Sequence, residues 1–185
     1  MYDLCSDNPD RCNSDIIVYF QLSSEDDNVV ASAAEYLFEK AHSSNPKSEQ
    51  NKIQMGREGA ILDLAILLER NDDNIRYQAL SALSEIAFRD SWNCNAIAST
   101  HGLLERLVEL LHADAGATQE DAALVVNNCA AFCEEAVPRI VGCPGMLSAL
   151  TALAESGDSS SRNIAIGALN SFSRCEVRPY SIHLP

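Results

Sequence analysis

Glycine recurs at Gly59, Gly102 and Gly145, 43 residues apart both times, and each time an apolar segment follows. The segments "GAILDLAILLE", "GLLERLVELLH" and "GMLSALTALAE" match step for step. Ile61, Leu64 and Leu67 return as Leu104, Leu107 and Leu110, and again as Leu147, Leu150 and Leu153. That spacing is the stripe of an amphipathic helix with one buried face. A glycine ahead of it suits a tight helix-to-helix turn that a side chain would obstruct. A single helix of this kind cannot cover its own stripe, so the recurrence predicts units stacked on one another.

A second helix is predicted in each unit after a polar break: "RNDDN", "HADAGATQE" and "ESGDSSSRN". Asn, Asp, Ser and Thr in these breaks are residues that cap helix N-termini by accepting from free backbone N–H groups. The rungs of this helix keep the same period: Ala79, Ala122 and Ala165; Leu83, Val126 and Leu169; Ile86, Cys129 and Phe172; Ala87, Ala130 and Ser173. A short segment with an apolar anchor precedes each glycine, carrying Ile53, Ile97 or Ile140. Upstream, "DIIVYFQLSSEDDNVVASAAEYLFEKA" reads as a diverged unit, with Ala33, Leu37 and Ala41 on the second-helix rungs. The expected organisation is a polar leader over 1–14 and one repeat domain over 15–174, with a tail over 175–185. The units fall at about 15–50, 51–94, 95–137 and 138–174, roughly three and a half in number.

Cys129 and Cys133 lie four apart in "DAALVVNNCAAFCEEA", a spacing that starts some metal and redox sites. Cys129, however, holds the rung that Ile86 and Phe172 fill in neighbouring units, which makes it a small buried hydrophobe. Cys133 is read the same way, because no histidine lies within a turn and structural zinc takes four closely spaced donors. No metal or other cofactor is expected. His42, His101, His112 and His183 are scattered, none beside a recognisable nucleophile, and Gly56-x-x-Gly59 lacks the spacing of a phosphate loop. Trp92, the single tryptophan, falls in a segment that reads as a loop. These features point away from an enzyme.

Composition narrows the partners. A formal net charge of -14 offers no basic stripe to displace counterions from phosphates, so neither nucleic acid nor an anionic membrane surface is expected. It favours a basic protein or peptide. Seven irregularly spaced cysteines and the absence of an N-x-Ser/Thr sequon fit a reducing setting, cytoplasmic or nuclear. "MYDLCSDNPDRC" has neither the basic start nor the apolar core of a secretory signal, and no apolar stretch reaches the roughly twenty residues of a membrane span.

The pattern resembles the armadillo repeat family, whose units are a short helix followed by two longer ones that turn at a glycine. The resemblance runs over about Asp15 to Arg174 and implies an all-α, right-handed superhelix, with HEAT repeats as the nearest rival. It also implies that the last helix of each unit lines a concave groove that holds an extended segment of another protein. Family members that carry nuclear import cargo, such as importin-α, place a Trp and an Asn one turn apart on that helix. The matching positions here are Ser81, Leu124 and Gly167 for Trp, and Glu85, Asn128 and Ser171 for Asn. Only Asn128 keeps the family's residue. The groove also lacks the repeated Lys and Arg of β-catenin-like proteins, so the chain is a close copy of neither. The candidate groove residues are Tyr77, Ser81, Glu85, Asp121, Leu124, Asn128, Asn163, Gly167 and Ser171. Small side chains at Ser81, Gly167 and Ser171 would let a ligand backbone approach, and Asn128 offers a donor and an acceptor.

A further expectation concerns the last unit. Another repeat glycine would fall near position 188, past Pro185. Leu169 and Phe172 are therefore expected to form an uncovered edge, each forfeiting roughly 1.5–3 kcal/mol of burial if left wet. Tyr180, Ile182 and Leu184 of the tail are candidate covers. The alternatives are burial of the edge in a homo-oligomer or in a larger complex, with the chain acting as a structural subunit, or a longer array of which this chain is a fragment.

Overall fold

The computed structural model describes residues 21–112 and 116–176. The leader over 1–14, the first-helix stripe expected from Ile16 to Leu22 in the diverged unit, apart from Gln21 and Leu22, and the tail contacts expected of Tyr180, Ile182 and Leu184 lie outside the described residues. The described residues form ten helices and no strand. These are α1 (Asp27–Ala41), α2 (Ser48–Glu58), α3 (Ala60–Leu67), α4 (Asp73–Ala87) and α5 (Ser91–Ser99), then α6 (Leu103–Leu111), α7 (Ala117–Phe132), α8 (Val137–Gly142), α9 (Met146–Ser156) and α10 (Ser159–Glu176).

The repeated glycines make the turns that the sequence predicts. Gly59, Gly102 and Gly145 precede α3, α6 and α9 with φ of 94°, 76° and 88°, a left-handed backbone that strains any residue with a Cβ. Side-chain caps start most of the following long helices. Asp26 accepts from the Asn28 N–H, Asp72 from the Ile75 N–H, and Asp158 from the Ser160 and Ser161 N–H groups. Asp158 is held below the ordinary carboxylate range by these bonds to Ser161 and Ser160, with Arg162 close by.

The helices pack in two series. The long helices stack in order, α1 on α4, α4 on α7 and α7 on α10, while each unit's glycine-led helix packs on its own long helix. Most of the predicted rungs form the core: Leu147, Ser173 and the anchor Ile53 are exposed, whereas Leu64, Leu67, Leu83, Ile86, Ala122, Val126, Leu150 and Ala165 are buried. Cys129 is 1% exposed in the company of these residues, as its rung predicts. Cationic side chains tie neighbouring units at their backbones. Arg106 donates to the Leu68 carbonyl through Nε and Nη2 (3.0 and 2.7 Å), and Arg70 donates to the Ser24 carbonyl at 2.7 Å.

Two sequence expectations are corrected here. Trp92 is helical, in the first turn of α5, because Asp90 caps that helix by accepting from the Asn93 N–H at 2.9 Å. Phe172 is not an open edge, being 4% exposed and part of the core. α10 rests on both α7 and α9. Leu169 is partly buried against the same core.

Candidate concave binding face

Each long helix of the stack has one stripe of matching positions, and the stripes are in register. On α1 the exposed residues are Asn28, Ser32, Glu35 and Glu39, while Val30, Ala33, Ala34 and Leu37 are buried. The matching positions are Asn74, Gln78, Ser81 and Glu85 on α4, then Ala117, Asp121, Leu124 and Asn128 on α7. On α10 they are Ser160, Ile164, Gly167 and Ser171. These positions recur on all four of the stacked long helices.

The nine predicted residues divide on this face. Tyr77 and Asn163 are exposed, and Glu85, Asp121, Leu124 and Gly167 are half-buried. Ser81, Asn128 and Ser171 are buried, at 7%, 6% and 4% exposure, and their polar atoms serve the chain itself. Ser81 Oγ donates to Asp121 Oδ2 at 2.6 Å, joining α4 to α7. Asn128 Nδ2 donates to the Ser84 carbonyl at 3.0 Å, across the same boundary. Ser171 Oγ donates to the Gly167 carbonyl (3.0 Å) and accepts from Arg174 Nη2 (3.0 Å). Ser81 and Asn128 thus act as struts between units, while the Ser171 bonds stay within α10. Gly167 is also used internally: a Cβ there would lie 2.8 Å from Asn127 Oδ1, so the missing side chain makes room for Asn127.

The electrostatics of the face are one-sided. Glu35, Glu39, Glu85 and Asp121 occupy its first three helices, and among the described residues no Lys or Arg lies within 4 Å of any of them. Glu85 has His42 Nε2 at 3.9 Å. The cations are engaged elsewhere: Arg70 with Asp27, Arg76 with Asp73, Arg106 with Glu69 and Glu109, Lys52 with Glu49. Lys40 turns over the ring of Tyr36, 5.0 Å from its centroid. Burial pushes the Asp121 carboxyl above its ordinary range, the Ser81 hydroxyl partly offsets this, and the charge of Glu120 adds to it. Glu35 and Glu39 were not singled out from sequence. Their signal was the stripe of α1, displaced by the longer linker "HSSNPKSEQNK".

A second polar cluster, also missed from sequence, is structural. Lys52 is 1% exposed, with Nζ donating to the Phe88 carbonyl at 3.2 Å and lying 5.1 Å from the Phe88 ring centroid. Asn93, fully buried, donates through Nδ2 to the Lys52 and Ile86 carbonyls, both at 3.1 Å. Among the described residues no group of three or more His, Cys, Asp or Glu is arranged to hold a metal ion, and no helix is long and apolar enough to cross a membrane.

This geometry has close structural counterparts. An engineered protein solved by the Northeast Structural Genomics Consortium superposes with a TM-score of 0.80 at 27% identity, covering 89% of this chain and 64% of that one. A designed armadillo repeat protein in complex with the peptide (KR)4 superposes at 0.75 and 22% identity, covering 84% and 62%. The chain folds as a right-handed armadillo-type solenoid. Computationally designed armadillo repeat proteins for modular peptide recognition agree, at 0.75 and 23% identity, over 84% and 63%. The chain spans less than two thirds of the length of each of these structures. No family model and no curated protein matches it. At such low identity the armadillo likeness is one of fold, and it matches neither importin-α nor β-catenin in its groove residues.

Proposed function

We propose that this armadillo-type solenoid is a non-catalytic scaffold of the cytoplasm or nucleus that holds an extended, basic segment of another protein along its concave face. The observation that carries this reading is the set of carboxylates at Glu35, Glu39, Glu85 and Asp121 on registered stripes, none of them paired with a Lys or Arg among the described residues. An extended segment suits repeat arrays, whose stacked units present long concave surfaces. That a designed protein of the same fold was solved with a Lys/Arg peptide supports the compatibility of the fold with such a ligand. The affinity and selectivity of this chain must come from its own residues.

Docking through the C-terminal edge is the weaker alternative, because Phe172 is already covered and only Leu169 remains partly open. The test is fluorescence anisotropy with a labelled eight-residue alternating Lys-Arg peptide at two ionic strengths. Binding should weaken as salt screens the exposed carboxylates, and Leu124→Arg should abolish it. Affinity indifferent to both changes would remove the reading.

A further inference from the structure

We infer that the concave face has two chemically distinct halves and takes a linear segment with Lys or Arg at one end and aliphatic residues at the other. This rests on the groove reading and specifies its ligand. The face changes character between α4 and α10. Its first half carries Glu35 and Glu39, exposed on α1, with Glu85 half-buried on α4 and Asp121 at the start of α7. Beyond Asp121 the apolar side chains on the stripe are Leu124 and Ile164, both half-buried; Asn128 and Ser171 are buried in bonds within the chain, and Ser160 and Asn163 are the exposed polar residues. A ligand therefore meets hydrocarbon at Leu124 and Ile164, flanked by the uncharged Ser160 and Asn163.

Arg174 sharpens the division. It is exposed at the far end of the stripe, and its Nη2 is held by Ser171 Oγ at 3.0 Å. A uniformly basic segment lying the length of the face would bring its own cations toward this guanidinium. Like charges brought together in this way select against the wrong ligand, as the carboxylates select for the right one. The spacing follows from helix packing. Two steps of about 8–10 Å separate α4 from α10, which an extended chain of about 3.3 Å per residue crosses in roughly five or six residues.

The test uses the full chain and labelled ten-residue peptides. Two carry a pair of Arg residues and a pair of Leu residues separated by a Gly/Ser spacer, in the two opposite orders. A third is all Lys/Arg and a fourth replaces Arg by Glu. One order of the two-part peptide should bind about tenfold or more tightly than the all-basic peptide, the scale expected when several weak exposed contacts act together. Replacing Glu35, Glu39 and Glu85 together by Gln should remove most of the salt dependence. Leu124→Ser should weaken two-part binding and leave its salt dependence intact. Arg174→Glu should raise affinity for the all-basic peptide alone. If the all-basic peptide binds as tightly as either two-part peptide, and Arg174→Glu changes nothing, the division into halves is wrong while the groove reading stands. If none of the peptides binds the natively folded chain, both fall.

Discussion

Asn128 reaches from α7 back to α4 and donates through Nδ2 to the Ser84 carbonyl at 3.0 Å, the same oxygen that accepts the Phe88 N–H at 3.1 Å. The one residue that keeps the importin-like asparagine is thus a strut between units, its amide turned into the stack and 6% exposed. A buried donor replaced by nothing costs little more than its own bond, whereas one replaced by an acceptor sets two oxygens against each other. Asn128→Ala should therefore cost about 1–2 kcal/mol and Asn128→Asp clearly more, both read from urea midpoints at constant m. Equal stability in the three proteins would mean that the bond contributes nothing. Peptide affinity, measured on the folded Asn128→Ala protein, should change far less than for Leu124→Arg.

Gly56, on α2, is closely approached by α5. A Cβ there would lie 1.8 Å from Asn93 Oδ1 and 2.8 Å from the Trp92 ring, so even alanine displaces an amide that bonds two buried carbonyls. Gly56→Ala should destabilise by at least about 2 kcal/mol, from overpacking together with disturbed buried hydrogen bonds. The strain has an identifiable partner, so Gly56→Ala with Asn93→Ala should cost less than the two single changes summed. Thermal melts of the full cycle measure this coupling, and simple additivity would show that the contact does not govern the site.

The contrast between these two sites explains what could be read in advance. Gly59, Gly102 and Gly145, the leucine stripes and the Cys129 rung were legible because a repeat writes its buried face at a fixed period, and each copy checks the others. Gly56, Lys52 and Asn93 sit outside that period, in short helices whose sequence looks solvated; a lysine gives no local sign that it will be 1% exposed. The stripe of the long helices was legible, but the burial of its residues was not. Ser81 and Ser171 have the size that a ligand site would favour, and the same smallness lets them sink between helices and bond there. Trp92 was misplaced because a single Asp cap, rather than any apolar periodicity, starts its helix.

Asp121 should make stability depend on pH in a definite direction. Its carboxyl titrates above the ordinary range in the folded chain, mainly because burial disfavours the charge. The ionised form then costs stability in full at pH values above its folded pKa. That cost is relieved as pH falls through the folded pKa toward the unfolded value of about 3.9. Asp121→Asn retains an oxygen that can accept from Ser81 and removes the charge. Its Tm should exceed that of the parent at pH 7, and the difference should shrink on acidification to nothing below about pH 3.9. A difference that stays constant across this range would rule out titration of Asp121 as its source.

The thiols give the last prediction. Cys94, Cys129, Cys133 and Cys143 are buried and unpaired, whereas Cys175, near the end of α10, is half-buried. Burial raises the Cys133 and Cys143 thiols, and Cys129 is raised well above its ordinary range by its contact with Cys94 together with burial. Since the thiolate is the nucleophile, Cys129, Cys133 and Cys143 should resist alkylation twice over, by access and by charge state, and Cys94 by access. Brief treatment of the native protein with iodoacetamide at pH 8, followed by peptide mass spectrometry, should label Cys175 first among these five. The buried four should react only as denaturant opens the stack, together and along the unfolding curve, since their protection belongs to the packed units. Labelling of Cys133 or Cys129 at rates matching Cys175 in the native state would instead mark a reactive thiol, and with it a chemistry that the solenoid reading does not contain.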